Sequence, residues 1–333
     1  MSYPILFRSI YLERVWGGRS LESKLDRRLP PGQMIGESWE VADRPGARSV
    51  IATGPYAGWT LGQAISCHAE SIMGPEYPPD HPFPILVKWL DCRENLSLQV
   101  HPPAEVARQL GGEPKTEMWY MIDVDPGAEL MAGLKAGVTR EQFETALHMD
   151  DLEPLVHKIP VAVGDSLFVQ SGRLHAIGRG NVILEIQQNS DTTYRVYDWG
   201  RAGLNGMPRP VHVDEALQSI DFCDWEPEPK RITRCGDLLA DCEAFRICKE
   251  GFAGGAILRY PAYSPPVLIS VVSGAIRVRG SETREYPRGT NLLLPYDGDF
   301  QVSGDWDAEI LVTDQFSRGS SAPPDEKNRP TFS

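Results

Sequence analysis

The chain of 333 residues is long enough to bury a large core, and its length suggests two domains. Hydrophobic residues make up 41% and charged residues 24%, which is typical of a globular protein in water. The net charge of −13 argues against nucleic acid or an anionic membrane surface as a partner. Such a protein can still bind a small anion where a few arginines and lysines are gathered locally.

The six cysteines form no CxxC pair and have no regular spacing, so we expect reduced thiols. The N-terminal residues lack a charged leader followed by an apolar run, which predicts that there is no signal peptide. The most apolar window, residues 267–276, is too short to cross a bilayer, which takes about 20 residues. A cytoplasmic protein without a membrane segment is therefore expected.

Short β-like pieces, separated by glycine and proline turns such as Trp16-Gly17-Gly18, are the main pattern of the chain. Strands are predicted over residues 83–90, 118–122, 161–169 and 182–186. Short helices are predicted after Thr60, over residues 139–148 with a capping box of Thr139 and Gln142, and over residues 211–220. Many short strands with such turns favour a sandwich or a barrel.

A proline-rich, charged segment over residues 225–230 marks the predicted domain boundary. It divides a first domain, residues 1–224, from a smaller β domain, residues 225–316. The remaining residues, 317–333, are rich in serine, glycine, proline and charges, which predicts a disordered tail.

The two predicted domains share an internal echo, in which a glycine precedes an apolar β run that ends at another turn. Gly164 opens the first copy and Gly289 opens the second. The first copy continues to His175, whereas no histidine follows His212 in the chain. The second domain is therefore expected to resemble the first in fold and to lack its chemistry.

The stretch Leu96-Ser-Leu-Gln-Val-His-Pro102 alternates apolar and polar residues, which predicts a strand with one polar face. Ser97, Gln99 and His101 would then point the same way. His175 follows a glycine turn at the end of a predicted strand, and Glu117 stands just ahead of a buried one, two residues after Lys115. Two histidines, a glutamate and a glutamine form a ligand set for Zn²⁺, Fe²⁺, Mn²⁺ or Co²⁺.

An ordinary structural role is the alternative for any polar residue on a strand. We assign that role to the other five histidines: His68, His81, His148, His157 and His212. For the four ligand-type residues, the pattern by itself does not identify the metal.

A second polar patch runs over residues 185–201. Glu185 and Asp191 are carboxylates that could move protons, and Arg195 and Arg201 could gather positive charge for a phosphate. The alternative interpretation is a simple turn whose arginines pair with nearby acids. The residue pattern leaves both interpretations open.

Several motifs together resemble the type I mannose-6-phosphate isomerases (phosphomannose isomerases) of the cupin superfamily, above all their short bacterial form. The motifs are Phe83-Pro-Ile-Leu-Val-Lys-Trp-Leu-Asp91, Leu96-Ser-Leu-Gln-Val-His-Pro102, Lys115-Thr-Glu117, Gly172-Arg-Leu-His-Ala-Ile-Gly178 and Leu184-Glu-Ile-Gln-Gln-Asn-Ser-Asp-Thr-Thr-Tyr-Arg-Val-Tyr-Asp198. Trp16-Gly17-Gly18 and Gly36-Glu-Ser-Trp-Glu40 also fit the family pattern. The resemblance runs from about residue 5 to residue 220 and continues more weakly beyond.

The resemblance implies a mainly β fold of two cupin-type β-barrel or jelly-roll units with a few short helices. It implies one Zn²⁺ per chain in the first unit, and a metal-dependent, reversible interconversion of mannose 6-phosphate and fructose 6-phosphate through an enediol(ate). The expected partner is a phosphorylated hexose, without nucleic acid or membrane, and the expected state is a monomer or a homodimer.

Carried over position by position, the resemblance also implies the site residues. The metal ligands would be Gln99, His101, Glu117 and His175. The catalytic residues would be Lys115, Glu185, Asp191 and Arg195, and the substrate-binding residues Ser97 and Arg201. The identity of the catalytic base stays open, because the pKa of each group depends on its burial and on the ion.

Two other classes of function remain as alternatives. Two histidines and one carboxylate also suit a non-haem iron oxygenase of the cupin type. Against this, Gln99 and the arginine patch fit a sugar phosphate better. A non-catalytic sugar-binding cupin would be expected to lose Lys115, Glu117 or Arg195, and this chain keeps all three.

Overall fold

The computed structural model describes residues 3–231 and 236–316, and all structural statements below concern these residues. Its strands are β1 (Ile5–Leu6), β2 (Ile10–Gly18), β3 (Ile35–Val41), β4 (Asp43–Arg44), β5 (Ala47–Arg48), β6 (Ile85–Cys92), β7 (Leu98–Val100), β8 (Glu117–Val124), β9 (Glu129–Leu134), β10 (Val156–Pro160), β11 (Asp165–Val169), β12 (His175–Ile177), β13 (Asn181–Gln188), β14 (Tyr194–Tyr197), β15 (Lys230–Arg231), β16 (Asp237–Asp241), β17 (Arg246–Gly251), β18 (Ile257–Tyr260), β19 (Val267–Ser273), β20 (Ala275–Arg279), β21 (Thr283–Pro287), β22 (Asn291–Leu294), β23 (Phe300–Gly304) and β24 (Glu309–Asp314). Its helices are α1 (Ser20–Leu25), α2 (Leu61–Met73), α3 (Ala104–Leu110), α4 (Arg140–His148) and α5 (Val213–Ser219), with 3₁₀ turns over Glu153–Leu155 and Ala253–Gly255.

The mainly β fold with a few short helices is confirmed, and its strands form several antiparallel sheets. Contacts divide the chain into two compact units. Unit 1 comprises the described residues of 1–10, 39–87 and 232–333, and unit 2 comprises residues 11–38 and 88–231. The functional division between residues 1–224 and 225–316 stays a prediction, and the predicted disordered tail, residues 317–333, lies outside the described residues. Among the described helices, none has the length and apolar character needed to cross a membrane.

Unit 2 contains a five-stranded sheet in the order β10-β9-β12-β7-β14. Its strands β8, β11, β13 and β15 belong to a seven-stranded sheet in the order β15-β11-β8-β13-β6-β3-β2. Apolar side chains from both sheets share one core because alternate residues of each strand point inward. The residues of this core are Trp16, Leu90, Cys92, Leu96, Trp119, Met121, Leu130, Ala132, Ile159, Leu167, Val169, Ile177 and Ile183.

Helices α4 and α5 cover the opposite face of the five-stranded sheet. Leu98 and Val100 of β7 point to this side and pack in a cluster with Phe143 of α4. The predicted capping box starts α4, with Gln142 N donating to Thr139 Oγ1 and Thr139 N donating to Gln142 Oε1. Since Leu98 and Val100 face the helices, Gln99 between them and His101 after them face the other sheet.

Unit 1 contains a six-stranded sheet in the order β1-β22-β19-β24-β17-β16 and a four-stranded sheet in the order β18-β23-β20-β21. The two sheets enclose their own apolar core, which includes Phe252, Ile269, Ile276, Phe300 and Ile310. Helix α2 belongs to this unit, and the predicted cap Thr60 accepts a hydrogen bond from Gln63 N. Unit 1 is thus a second β sandwich.

The two glycines of the internal echo adopt the same backbone conformation. The φ angle is +89° at Gly164 and +90° at Gly289, in the left-handed region that favours glycine. Each amide donates to a strand carbonyl, Gly164 to Met121 O at 2.9 Å and Gly289 to Val271 O at 2.8 Å. The echo in the sequence therefore corresponds to equivalent turns that lead into β11 and β22.

Candidate metal centre and active site

Three ligand-type side chains meet between the two sheets of unit 2. His175 lies on β12, Glu117 begins β8, and His101 follows directly after β7. All three are buried, and their ligand atoms lie within 4.8 Å of one another. His101 Nε2 is 3.4 Å from Glu117 Oε2, and His175 Nε2 is 3.7 Å from Glu117 Oε1. Within the described part of the chain, no other group of three His, Cys, Asp or Glu comes so close.

Backbone carbonyls fix the orientation of both imidazoles. His101 Nδ1 lies 2.9 Å from Thr192 O, and His175 Nδ1 lies 2.9 Å from Arg173 O. A carbonyl oxygen can only accept, so each Nδ1 carries the hydrogen and each Nε2 presents its lone pair toward Glu117. Histidine ligands of metals are oriented in this way.

The surroundings also set the protonation states. Burial, helped by the charge of Lys115, lowers the pKa of His101 to about 4, and burial lowers the pKa of His175. Burial alone would raise the pKa of Glu117, but Lys115 and the two histidines together lower it well below its ordinary value. At neutral pH the three groups are two neutral imidazoles and a carboxylate, the forms that bind metal ions.

The donor set fits a divalent cation. Both carboxylate oxygens of Glu117 are buried and make no well-oriented hydrogen bond to the described residues, although the Lys115 ammonium lies 2.8 Å from Oε2. A buried carboxylate is costly unless a cation or hydrogen bonds compensate it. Two imidazoles and a carboxylate with a further open position are the ligand set of catalytic zinc sites.

Gln99 adjoins the triad through the sheet register. It lies directly opposite His175 on one side and Arg195 on the other. Gln99 Nε2 is 3.3 Å from His175 Nε2, and Gln99 Oε1 accepts a hydrogen bond from Ser97 Oγ at 3.1 Å. Three neighbouring strands, β14, β7 and β12, therefore present Arg195, Gln99 and His175 in one row.

Lys115 links the triad to a second buried carboxylate. Its Nζ lies 3.1 Å from His101 Nε2 and 3.9 Å from Glu185 Oε1. Burial alone would lower the pKa of Lys115, but Glu117 and Glu185 raise it above its ordinary value, so the amine is an ammonium. Glu185 itself accepts from Trp119 Nε1 at 3.0 Å and pairs with Lys88 at 3.2 Å.

A cavity of about 590 Å³ in unit 2 opens beside these groups. The predicted residues on its wall are Ser97, Gln99, Lys115, Glu185, Asp191 and Arg195. Asp191 is exposed. Arg195 is held by Ser97 Oγ, which accepts from Nε at 3.2 Å, and by Pro210 O, which accepts from Nη1 at 2.6 Å. Nine of the ten predicted residues thus lie in the triad or on this wall.

Arg201 is the exception. It lines a different cavity of unit 2, of about 530 Å³, together with Glu94, Asn95 and Trp199. Its guanidinium donates to Asn95 O and, at 3.0 and 2.8 Å, to Asp198 Oδ1. Arg201 therefore lines a different cavity from the one that six of the predicted residues line beside the triad.

Sequence reasoning missed other charged residues on the wall of the larger cavity, including Arg14, Glu37, Lys88 and Arg209. Arg14 and Glu37 form a bidentate salt bridge, in which Arg14 Nε donates to Glu37 Oε1 at 3.0 Å and Arg14 Nη2 donates to Glu37 Oε2 at 3.1 Å. A signal was present for three of them. Arg14 closely precedes Trp16-Gly17-Gly18, Glu37 lies in the Gly36–Glu40 motif, and Lys88 lies in the Phe83–Asp91 motif. Arg209 stands between two prolines, which fix the local backbone.

Comparisons with known proteins identify the family of this chain. Residues 6–127 match the family described as phosphomannose isomerase type I, catalytic domain. Mannose-6-phosphate isomerase ManA of Bacillus subtilis (strain 168) is 36% identical over 322 residues, which cover 93% of this chain and 98% of ManA. The chain belongs to the type I phosphomannose isomerase family. The resemblance seen in the sequence motifs is confirmed.

Solved structures place the phosphomannose isomerase fold over nearly the whole chain. The mannose 6-phosphate isomerase of Bacillus subtilis superposes with a TM-score of 0.82 at 31% identity, covering 93% of this chain and 99% of that protein. A mannose 6-phosphate isomerase solved with bound zinc and yttrium gives a TM-score of 0.70 at 15% identity, covering 93% and 99%. At 15% identity, the similarity to the zinc- and yttrium-bound structure shows a shared fold only.

Proposed function

We propose that this chain is a zinc-dependent mannose-6-phosphate isomerase, which interconverts mannose 6-phosphate and fructose 6-phosphate. The observation that carries the proposal is the buried His101–Glu117–His175 triad beside a polar cavity that holds Lys115 and Arg195. The names of the relatives and the zinc in a related structure support the same activity and metal. The substrate is a phosphorylated hexose, and the chain acts as a monomer or a homodimer.

One Zn²⁺ per chain would be held by His101, Glu117 and His175, with Gln99 as a fourth ligand. The oxygen and nitrogen of an amide are nearly equal in shape, so the Gln99 side chain can rotate by half a turn. Its oxygen then faces the triad, and its nitrogen donates to Ser97 Oγ. When bound, the zinc supplies Lewis-acid polarisation of the sugar oxygens.

The reaction moves one hydrogen from C2 of the aldose to C1 and one hydroxyl proton from O2 to O1, so that no net oxidation occurs. Glu185 takes the proton from C2 and returns it to C1, because its carboxylate lies on the cavity wall in contact with Lys115. Lys115, which its carboxylate neighbours keep protonated, donates to the oxygen on which negative charge develops. Trp119 and Lys88 hold the Glu185 carboxylate in place.

Two further cavity residues have supporting roles. Arg195, fixed by Ser97 and Pro210, places positive charge on the wall of the cavity. Asp191 is another carboxylate on the wall that can exchange a proton with the substrate. Separate substitution of Asp191 and Glu185 distinguishes which of them acts as the base.

The test is the conversion of fructose 6-phosphate to mannose 6-phosphate by the purified, zinc-loaded protein. The His101→Ala variant should lose both zinc and activity. His148→Ala is the matched control, since His148 is exposed on α4 and bonds only to the helix through Glu144 O. No turnover by the zinc-loaded protein would refute the proposal, and oxygen uptake by the iron-loaded protein would favour an oxygenase instead.

A further inference from the structure

Two arginines share the carboxylate of Asp198, which is 7% exposed. Arg209 Nε donates to Asp198 Oδ2 at 2.6 Å, and Arg209 Nη2 donates to Oδ1. Arg201 donates to the same Oδ1 through Nε at 3.0 Å and Nη2 at 2.8 Å. One negative charge thus faces two positive charges, and an excess of positive charge remains in a protein whose net charge is −13.

The two arginines face different cavities. Arg209 lines the cavity beside the histidine triad, where Arg195 and Ser97 also lie, and Arg201 lines the other cavity. The backbone connects Arg209 to Arg195, because the carbonyl of the next residue, Pro210, accepts from Arg195 Nη1 at 2.6 Å. Arg209 and Arg195 therefore both place positive charge on the wall of the cavity beside the triad.

Both guanidinium groups have nitrogen atoms left for a ligand. Arg209 uses its Nε and Nη2 on Asp198, and Arg195 uses its Nε and Nη1 on Ser97 and Pro210. Among the described residues nothing accepts a hydrogen bond from Arg209 Nη1 or Arg195 Nη2. Of the carboxylates on the same wall, Glu37 is already paired with Arg14.

We propose that Arg209, with Arg195, binds the phosphate of the sugar substrate, and that Asp198 is the positioning residue that aims Arg209. This inference rests on the proposed function. A guanidinium offers parallel N–H groups that match phosphate oxygens, and a fixed guanidinium loses less entropy on binding. Pro208 and Pro210 restrict the backbone on both sides of Arg209. Arg201, on the far side of Asp198, acts through that carboxylate as a second positioning residue.

The experiment compares arginine variants of the full chain in the isomerase assay, with inorganic phosphate as a competitive inhibitor. Arg209→Gln should raise the KM for fructose 6-phosphate and the inhibition constant of phosphate by about tenfold to a hundredfold, and KM should rise more than kcat falls. Arg201→Gln and Asp198→Asn should give smaller rises of both constants. Arg179→Gln is the matched control, since this exposed arginine lines only the second cavity.

A second measurement separates the phosphate site from the isomerase activity. Calorimetric titration with inorganic phosphate needs no turnover, and the Arg209→Gln variant should bind phosphate more weakly than the unmodified chain. If the unmodified chain binds phosphate through Arg209 but does not isomerise the sugar, the proposed function fails and the anion site stands. If it isomerises the sugar and Arg209→Gln leaves both constants unchanged, the phosphate assignment is wrong and the function stands.

A poorly folded Arg209→Gln protein would not end the test, because Arg209→Lys keeps the charge and loses only the paired N–H geometry. Its constants should lie between those of the unmodified chain and of Arg209→Gln. A larger rise of KM in Arg201→Gln than in either Arg209 variant would assign the phosphate to Arg201 and overturn the inference. Zinc content is measured for every variant, because a merely structural effect would lower it.

Discussion

Gln99 and His175 lie directly opposite each other on neighbouring antiparallel strands, with their Nε2 atoms 3.3 Å apart. This pair joins a residue of β7 to one that is 76 positions away in the sequence. The side chains of a strand alternate between its faces, so a shift of one residue in this register would turn one of the two away. The amide at position 99 is therefore placed beside a proposed metal ligand by the sheet itself.

Replacement of Gln99 by Leu should weaken zinc binding about tenfold to a hundredfold, because the side chain keeps its size and loses its oxygen. The measurement is competition for zinc with a chelator of known affinity. Gln218→Leu, on the exposed side of α5, is the matched control and should bind zinc like the unmodified chain. Equal affinity in the Gln99 variant would remove Gln99 from the ligand set.

Glu185→Gln should lower kcat about a hundredfold to ten-thousandfold while zinc content stays at one per chain, since the amide cannot carry the proton. The buried hydrogen bond from Trp119 can persist, because the amide oxygen still accepts. Asp191→Asn is measured beside it, at the same zinc content. If the Asp191 variant shows the larger loss of kcat, the base is Asp191 and the assignment to Glu185 is wrong.

Gly36→Ala should lower the free energy of unfolding by about 1–3 kcal/mol, because an added methyl group has no room. A Cβ at this position would lie 2.6 Å from Arg14 Cβ and 2.7 Å from Trp16 Cζ3. The displacement of Arg14 should also disturb its pair with Glu37 on the cavity wall and raise KM. Urea denaturation and the isomerase assay check the two effects, and unchanged values of both would contradict the close packing of β2 on β3.

Glu250→Gln should stabilise the protein at pH 7 by about 1 kcal/mol, because it removes a poorly hydrated charge. Glu250 is 6% exposed, its Oε2 makes no hydrogen bond to the described residues, and burial raises its pKa. Burial also raises the pKa of two neighbours, Tyr260 and Cys248, that of Cys248 to about 11, so they are neutral at pH 7 and add no charge of either sign beside Glu250.

The sign of the pH effect follows from the raised pKa. The folded chain holds the proton of Glu250 to higher pH than the unfolded chain, so the stability that the neutral form provides is lost as pH rises above the ordinary pKa of glutamate. The gain from Glu250→Gln should therefore be small at pH 4 and larger at pH 7. Glu243→Gln, at an exposed position, should show no gain, and an equal gain at both pH values would show that burial of the charge is not the cause.

Much of the architecture could be predicted from local patterns. The glycine turn at Gly164 and the capping box of Thr139 and Gln142 each depend on residues close in sequence, and both occur in the structure. The polar side of the stretch from Leu96 to Pro102 also follows from its alternation. The exception is Leu96, which packs between the sheets, whereas Leu98 and Val100 pack under the helices. Alternation applies only within the strand, and β7 begins at Leu98.

The parts that local patterns did not predict are those made by distant segments. Strand β12 has three residues and β14 has four, too few for a periodic signal. Arg14 reaches the cavity from an early strand, and Arg209 reaches it from a proline-bounded loop. Arg201 and Arg209 both bind the carboxylate of Asp198 but line different cavities. The spacing of these residues in the sequence does not predict that difference.

Zinc titration of the metal-stripped protein, with fructose 6-phosphate as substrate, is the most direct test of the proposed metal centre. We expect no activity before zinc is added, a linear recovery of activity with added zinc, and a plateau at one zinc per chain. The His175→Ala variant should show no recovery at the same zinc concentrations, whereas the His148→Ala control should recover fully. Undiminished activity in the metal-stripped protein would show that the reaction needs no zinc, and full recovery in the His175 variant would show that His175 is not a zinc ligand.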